Sequence, residues 1–554
     1  MEVRSATRRS AWFVSGLLVI SVVQPLTVGP AAAEPTSEVS APTFSTAVAF
    51  DTSRPVSEMA RAGSGAVMPG AVGERGSAVP DSGFRGDGAV QSRAGTADDL
   101  SAPIRNFEGA SNLDNPFKVS PPDPNGDVGP NHYVEMVNLT FSIYTKTGRV
   151  LTPPTPLGEL WAGFEVEDCT DLSGDPIVLH DQLADRWILT QFSTRGPEYF
   201  NCVALSTTAD PTGTYYRYAF STGRKFPDYP KYGVWPDAYY ISTREFGRFR
   251  FSGVGAYAVD RARMLAGDPN AGMVMFNVAP RDKPWLPGDG LLPSDLDGNN
   301  LPPGGSPNFF VGTQDDEGPY GAPFDAINIW QFHVKWRPTL EASFFRSAQL
   351  PTREFDSSFP CGEDGRSCIE QPVVAQKIDI LSYRQRPTWR AAYRNFGSHQ
   401  SIVTNQSVQA RPGEAGVRWY EIRRPLLQPV LYQQGTYAPD DGVNRWMGSV
   451  AMDKFGNMAA GYSVSNGDRV FPGIRYTGRL ASDPRGQLPQ AEQVLIDGSG
   501  SQRGSPRWGD YTSMNVDPTD DCTFWYVNEY YERTLGQVLW QTRIGSFRFQ
   551  GCRG

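Results

Sequence analysis

Apolar and polar residues alternate over short runs along most of this chain, and long stretches of 3.6-residue periodicity are few. That pattern predicts many short β-strands joined by turns. After residue 120 a unit recurs seven times: a small polar or glycine-rich entry, a short apolar strand, a tight turn and an aromatic second strand. The clearest pair is Val128-Gly-Pro-Asn-His-Tyr-Val134 and Val234-Trp-Pro-Asp-Ala-Tyr-Tyr240, with looser copies over 176–191, 307–317, 397–409, 448–464 and 510–528. Inner strands are expected near Val128, Val178, Val234, Phe310, Ile402, Val450 and Met514. Units of roughly 50 to 90 residues suit one four-stranded sheet each. Sheets that cannot bury a face alone must stack, and stacked radially they close. The expected fold is all-β, a seven-bladed β-propeller, with six or eight blades as the alternatives.

Composition agrees with this pattern. The 554 residues include 57 Gly and 46 Pro, a density of turn formers that suits short strands better than helices. Aromatic density is high from Phe107 to Phe549, without a break resembling a linker. Residues 34–105 are instead rich in Ala, Gly, Ser, Thr and Pro and read as a disordered spacer or pro-segment. The expected divisions are therefore 1–33, 34–105 and a propeller domain over 106–554. Residues 281–306 and 351–371 read as long insertions, of the kind that shape a binding face.

The first 33 residues read as a signal peptide. Arg4, Arg8 and Arg9 precede an apolar run, and Ala31-Ala-Ala33 suits a small-residue cleavage site. Secretion is expected, with no membrane span after cleavage. Six cysteines in an exported chain predict disulfides, paired Cys169–Cys202, Cys361–Cys368 and Cys522–Cys552. The last pair would tie the seam of the ring, with other connectivities open. A net charge of −9 argues against a nucleic-acid partner. With four histidines, a His-built metal centre is not expected, and no cofactor is required.

Residues just ahead of the inner strands would ring one mouth of the channel. In order they are Asp127, Asp175, Asp228 with Lys231, Asn308, Arg394, Arg445, and Arg507 with Asp510. Acids dominate the first three units and arginines the last three, so ring closure would oppose a carboxylate wall and a guanidinium wall. Converging guanidinium groups suit a planar anion such as a carboxylate. A partly desolvated acid opposite them suits proton donation. Such aspartates also cap turns in all-β proteins, which is the structural alternative.

An arginine trio facing carboxylates in an expected seven-bladed ring resembles the sialidase-type propellers. The resemblance implies that Arg394, Arg445 and Arg507 hold a substrate carboxylate. It makes Asp175 or Asp127 the acid, with Tyr511 and Glu529 as nucleophile pair and Asp510 beside them. The S-x-D-x-G-x-x-W box of that family is absent, with only an echo at Met452-Asp-Lys-Phe-Gly-Asn457. Arg507-Trp-Gly-Asp-Tyr511 with Asp521-Cys-Thr-Phe-Trp525 and Glu529-Tyr530 also resembles a pattern in uncharacterised secreted bacterial proteins.

Weaker signals add detail. Asp295, Asp297 and Asn299 alternate oxygen donors next to a glycine, as a structural calcium loop does and as an ordinary Asp/Gly turn does. Trp446 and Trp508 follow two mouth arginines and are candidate sugar platforms, or blade packing. The functional expectation is a secreted propeller that binds or acts on extracellular glycan, as a sialidase-like glycoside hydrolase for an acidic sugar. The alternatives are a non-catalytic adhesion module for glycan or cell-surface protein, and a uronate lyase using Tyr511 or His399 as base.

Overall fold

Backbone hydrogen bonding organises the chain into antiparallel meanders, as the alternating pattern requires. The structure is a computed structural model that describes residues 39–61, 83–84, 86–247, 250–359, 361, 366–380 and 385–553. The expected signal peptide, residues 1–33, lies outside the described residues. Helix among the described residues is confined to single turns such as Leu157–Leu160 and Arg261–Leu265. No helix among them is long and apolar enough to cross a membrane.

The first meander runs Asn125–Val128, His132–Val137, Thr140–Thr145 and Val150–Pro156. Later ones begin with Val178–Asp181, Phe226–Val234, Leu292–Asp297, Thr388–Asn395, Asn444–Met452 and Ser513–Val516. These leading strands touch their neighbours in chain order, and Ser513–Val516 returns to Asn125–Val128. The circuit therefore closes, with the leading strands innermost. Large aromatics such as Trp235, Phe309 and Tyr393 pack between successive sheets. Stacked sheets bury both faces, so apolar residues occur at adjacent positions as well as alternate ones.

Two expected inner strands are corrected. Phe310 and Ile402 lie in second strands, Asn308–Gln314 and Gln400–Arg411. The strands that face the axis there are Leu292–Asp297 and Thr388–Asn395, which pair with each other in parallel from Ser294↔Ala391 to Asp297↔Arg394. Both had been hidden by polar character. Leu292–Asp297 lay in the expected 281–306 insertion, yet all six of its residues are buried.

The expected spacer also needs correction wherever it is described. Thr43–Thr46 pairs with Gly272–Val278, and Ala49–Thr52 with Tyr215–Gly223, so each adds an outermost strand to a sheet. Val90–Gln91 pairs in parallel with Val430–Tyr437. An edge strand exposes unpaired N–H and C=O groups, and backbone alone can cover them. A segment poor in core-forming side chains can therefore still be ordered on the rim.

Arg105–Ser111 supplies the fourth strand of the last sheet, pairing with Gln541–Phe547. This joins early chain to late chain and holds the seam. Cys522–Cys552, Cys169–Cys202 and Cys361–Cys368 are all bonded, and no free cysteine is present among the described residues.

Candidate functional site

The inner strands share a local backbone feature at their entries. Asp123, Asp175, Tyr229, Met447 and Asp510 adopt left-handed backbone, with φ of 50°, 47°, 54°, 49° and 65°. Aspartate tolerates this region better than most residues, whereas a tyrosine or methionine there is strained. In three cases a proline follows, at Pro124, Pro176 and Pro230. Proline excludes right-handed helical backbone from the residue before it. The repeated kink gathers Asp123, Asp175, Tyr229 and Asp510 around one cavity of about 450 Å³, joined by Asp228 and Arg386.

The cavity wall is densely charged. Tyr511 donates its hydroxyl to Asp175 Oδ2 at 2.6 Å. Tyr229 donates to the Asp510 carbonyl at 3.1 Å. The Lys231 ammonium lies 3.3 Å from the Tyr229 ring centroid and 3.5 Å from that of Tyr511, in a buried cation–π sandwich. Arg244 donates to Asp228 at 2.7 Å and to Asp289 at 3.1 Å. Arg507 bonds Asp510 and lies 3.3 Å from Asp379, which also accepts from Arg366 at 2.8 Å. Arg386 differs from these. It is buried with its guanidinium 3.4 Å from the Tyr229 centroid, while its Nε and Nη1 have no hydrogen-bond partner among the described residues.

Burial and neighbouring charge split the carboxyl groups. Burial, followed by repulsion from Asp175 and Asp510, pushes Asp123 well above the usual carboxylate range. Burial and Asp228 raise Asp175 to about 7, against the opposing pull of the Tyr511 hydrogen bond and Lys231. Asp510 is equally buried, yet Arg507, Arg366 and Arg386 outweigh that burial and hold it below the usual range. One wall thus keeps a proton near neutral pH and the other keeps its charge. Burial also drives Lys231 well down and Tyr511 well up.

Of the residues expected at the mouth, Asp175, Asp228, Arg507 and Asp510 line this cavity, and Lys231 and Tyr511 lie directly behind it. Glu529 does not partner Tyr511. It is fully buried and accepts from the Gly509 amide at 2.8 Å. The arginine trio does not converge. Arg394 makes a two-pronged pair with Asp521 at 2.8 and 2.7 Å, because it ends its strand rather than beginning it. Arg445 is buried between Asp441 and Glu492. Trp446 and Trp508 are core residues with ring centroids 5.7 Å apart, so neither is an exposed platform. His399 sits in a turn against Phe396, apart from the cavity.

Asp127 belongs to a different cluster. It ends the first inner strand region, where its carboxylate accepts from the Val128 and His180 amides at 2.7 and 2.8 Å. Nearby, Arg390 donates to Asp295 at 2.8 Å, to both oxygens of Asp297 at 2.6 and 2.7 Å, and to the Met514 carbonyl at 3.1 Å. This corrects the calcium expectation: the two carboxylates already hold a guanidinium, and Asn299 lies in an exposed turn beyond them. Among the described residues, Asp315, Asp316, Glu317 and Asp325 bring carboxylate oxygens within 4.8 Å of one another, the spacing a metal ion needs. Backbone amides of Glu317, Ser357, Asp316 and Phe355 already bond Asp315 and Asp325.

Sequence reasoning missed Asp123, Arg366 and Arg386. Asp123-Pro124 repeats Asp175-Pro176, a signal that was available in the chain. Arg366 falls within the insertion expected to shape a binding face, but Arg386 carries no local motif at all.

No family model matches this chain, and no curated protein matches it significantly. Among solved structures, an α-L-arabinofuranosidase from Fusarium graminearum is similar with a TM-score of 0.33 and 9% identity, over 83% of this chain and 99% of that one. An endo-arabinase from Bacteroides thetaiotaomicron has a TM-score of 0.28 and 12% identity, over 56% of this chain and 95% of that one. The polysaccharide lyase Uly1 has a TM-score of 0.32 and 8% identity, over 91% and 100%. Similarity this low leaves the chemistry of this chain to its own residues.

Proposed function

We propose that this chain is a secreted seven-bladed β-propeller glycoside hydrolase for an acidic sugar, working at the cavity of Asp123, Asp175 and Asp510. One observation carries the reading: a single cavity contains a carboxyl that keeps its proton near neutral pH and another held charged by arginines. Splitting two carboxyl groups in this way assigns an acid and a base. Glycosidic bonds are cleaved by such a pair, one acid protonating the leaving oxygen while a carboxylate supports the positive sugar carbon or activates water. Asp175 is the proton donor in this reading and Asp510 the charged partner. Tyr511 positions Asp175 through its hydrogen bond. Arg386, whose Nε and Nη1 have no hydrogen-bond partner among the described residues, supplies the positive charge for a substrate carboxylate in place of Arg394 and Arg445. The three disulfides fit an oxidising compartment.

The test is a product screen of the signal-free protein on acidic and neutral glycans, with Asp175→Asn and Arg386→Gln alongside. Reducing ends released by the wild type and lost in Asp175→Asn support the reading. Arg386→Gln should lose acidic substrates alone. Saturable glycan binding without bond cleavage would establish a binding module instead, and unsaturated products a lyase.

A further inference from the structure

A second cavity lies on the rim, apart from the proposed catalytic cavity. It occupies about 840 Å³ between the strand Val430–Tyr437 and the segment 88–96. That volume is in the upper part of the roughly 300–1,000 Å³ typical of ligand clefts. It has room for a short run of sugars.

The groove exists because the rim strand is only half covered. Val90 and Gln91 pair with Thr436 and Tyr437, whereas Leu431 to Gln434 face the open groove. Three arginines, Arg93, Arg353 and Arg485, come to its lining from three distant parts of the chain, and no acidic residue lines it. All three are exposed, and among the described residues none has an ion-pair partner. In a chain of net charge −9, a concentration of unpaired positive charge runs against the average surface. The guanidinium carbons of Arg423 and Arg485 also lie 3.4 and 3.9 Å from the Tyr432 ring centroid. Stacking of this kind holds Arg485 in a preferred orientation before any ligand arrives.

We propose that this groove is an accessory binding site for an extended anionic polysaccharide bearing carboxylates. Arginine forks match carboxylates in two-pronged geometry. The remaining lining is mainly glutamine, serine, threonine and peptide groups, which suit sugar hydroxyls. An acidic peptide would supply carboxylates too, but this lining offers few apolar sockets for the other side chains of an extended peptide. The inference stands independently of the proposed hydrolase reading.

The experiment measures retention of the full chain on immobilised polygalacturonate, neutral arabinan and polyglutamate. The comparison is wild type against Arg93→Ala/Arg485→Ala, with Arg485→Gln as a milder second variant. Wild type should bind polygalacturonate in preference to both other polymers, and binding should weaken with salt. The double variant should bind at least about ten-fold more weakly, as expected for two lost charge-assisted contacts. Its unfolding midpoint and any turnover of short soluble substrates should stay as in wild type. Retention of polygalacturonate by folded variants at wild-type strength overturns the proposal. So does equal or tighter binding of polyglutamate, which would make the occupant a peptide.

Discussion

The two clusters of aspartates near the ring axis are built from the same residue type and behave differently. At the cluster formed by Asp127, Asp295 and Asp297, Arg390 Nη1 and Nη2 bond the carboxyl groups of Asp295 and Asp297, its Nε bonds the Met514 carbonyl, and Asp127 accepts from two backbone amides. At the cavity of Asp123, Asp175 and Asp510, the backbone is kinked, and among the described residues Asp123 Oδ1 and two Arg386 nitrogens lack partners. A buried charge that is fully paired contributes specificity of packing, whereas unpaired polar atoms at a cavity are capacity kept for a ligand. The comparison teaches that acid content alone does not mark a site. What marks it is the unfinished pairing.

Four experiments break or sharpen this contrast. Arg390→Ala should have the largest effect, destabilising the fold by about 3–5 kcal/mol, because it leaves two buried carboxylates without their cation. Denaturant unfolding checks it, and a change within about 0.5 kcal/mol would show that the matched cluster is not structural.

Asp175→Asn is expected to lower kcat on a cleavable acidic glycan by about 100-fold or more, the usual yield of a lost general acid. Its stability should change little, since the residue lines a cavity. Steady-state kinetics with a parallel melting curve separate the two effects.

The third experiment uses pH. A proton donor must be protonated to act, so activity should fall as pH rises through about 7, the position to which burial and Asp228 bring Asp175. Tyr511 stabilises the ionised form by hydrogen bonding to it. Tyr511→Phe removes that pull and should move the alkaline limb of the profile to higher pH. A limb that moves to lower pH, or does not move, removes Tyr511 from the positioning role.

The fourth experiment concerns Asp127. Burial and the nearby Asp295 raise its folded pKa to about 8, above the unfolded carboxyl value of about 4. A raised folded pKa gives stability that is fully present below the unfolded value and is lost as pH rises through the folded one. Wild-type stability should therefore decline between about pH 4 and pH 8, and Asp127→Asn should flatten that decline. Melting curves across this range provide the measurement.

Legibility in the chain followed the physics of each feature. Strand-rich architecture was legible because alternation and turn residues act locally, as in Val128–Val134 and Val234–Tyr240. The inner strands at Leu292–Asp297 and Thr388–Asn395 were not, since buried ion pairs let polar sequences such as Ser-Asp-Leu-Asp occupy an interior position. The ordered rim strands at Thr43–Thr46 and Ala49–Thr52 escaped notice because their partners are backbone groups, which leave no side-chain pattern. Asp175, Asp228, Arg507 and Asp510 could be placed at the mouth from repeat position. Arg394 could not be excluded in the same way, because its partner Asp521 lies 127 residues away, whereas Arg445 pairs both with distant Glu492 and with Asp441 four residues earlier.

The sequence by itself determined an all-β chain of repeated strand units, a cysteine set suited to disulfides and an acidic balance, because each depends on residue type or short-range spacing. Only the tertiary structure decided which charges meet. Folding brought Arg386 over Tyr229 and Arg390 between Asp295 and Asp297, so that one arginine kept free nitrogens at a cavity while the other was fully used. Electrostatic pairing depends on distances in space, and a linear order of residues does not contain them.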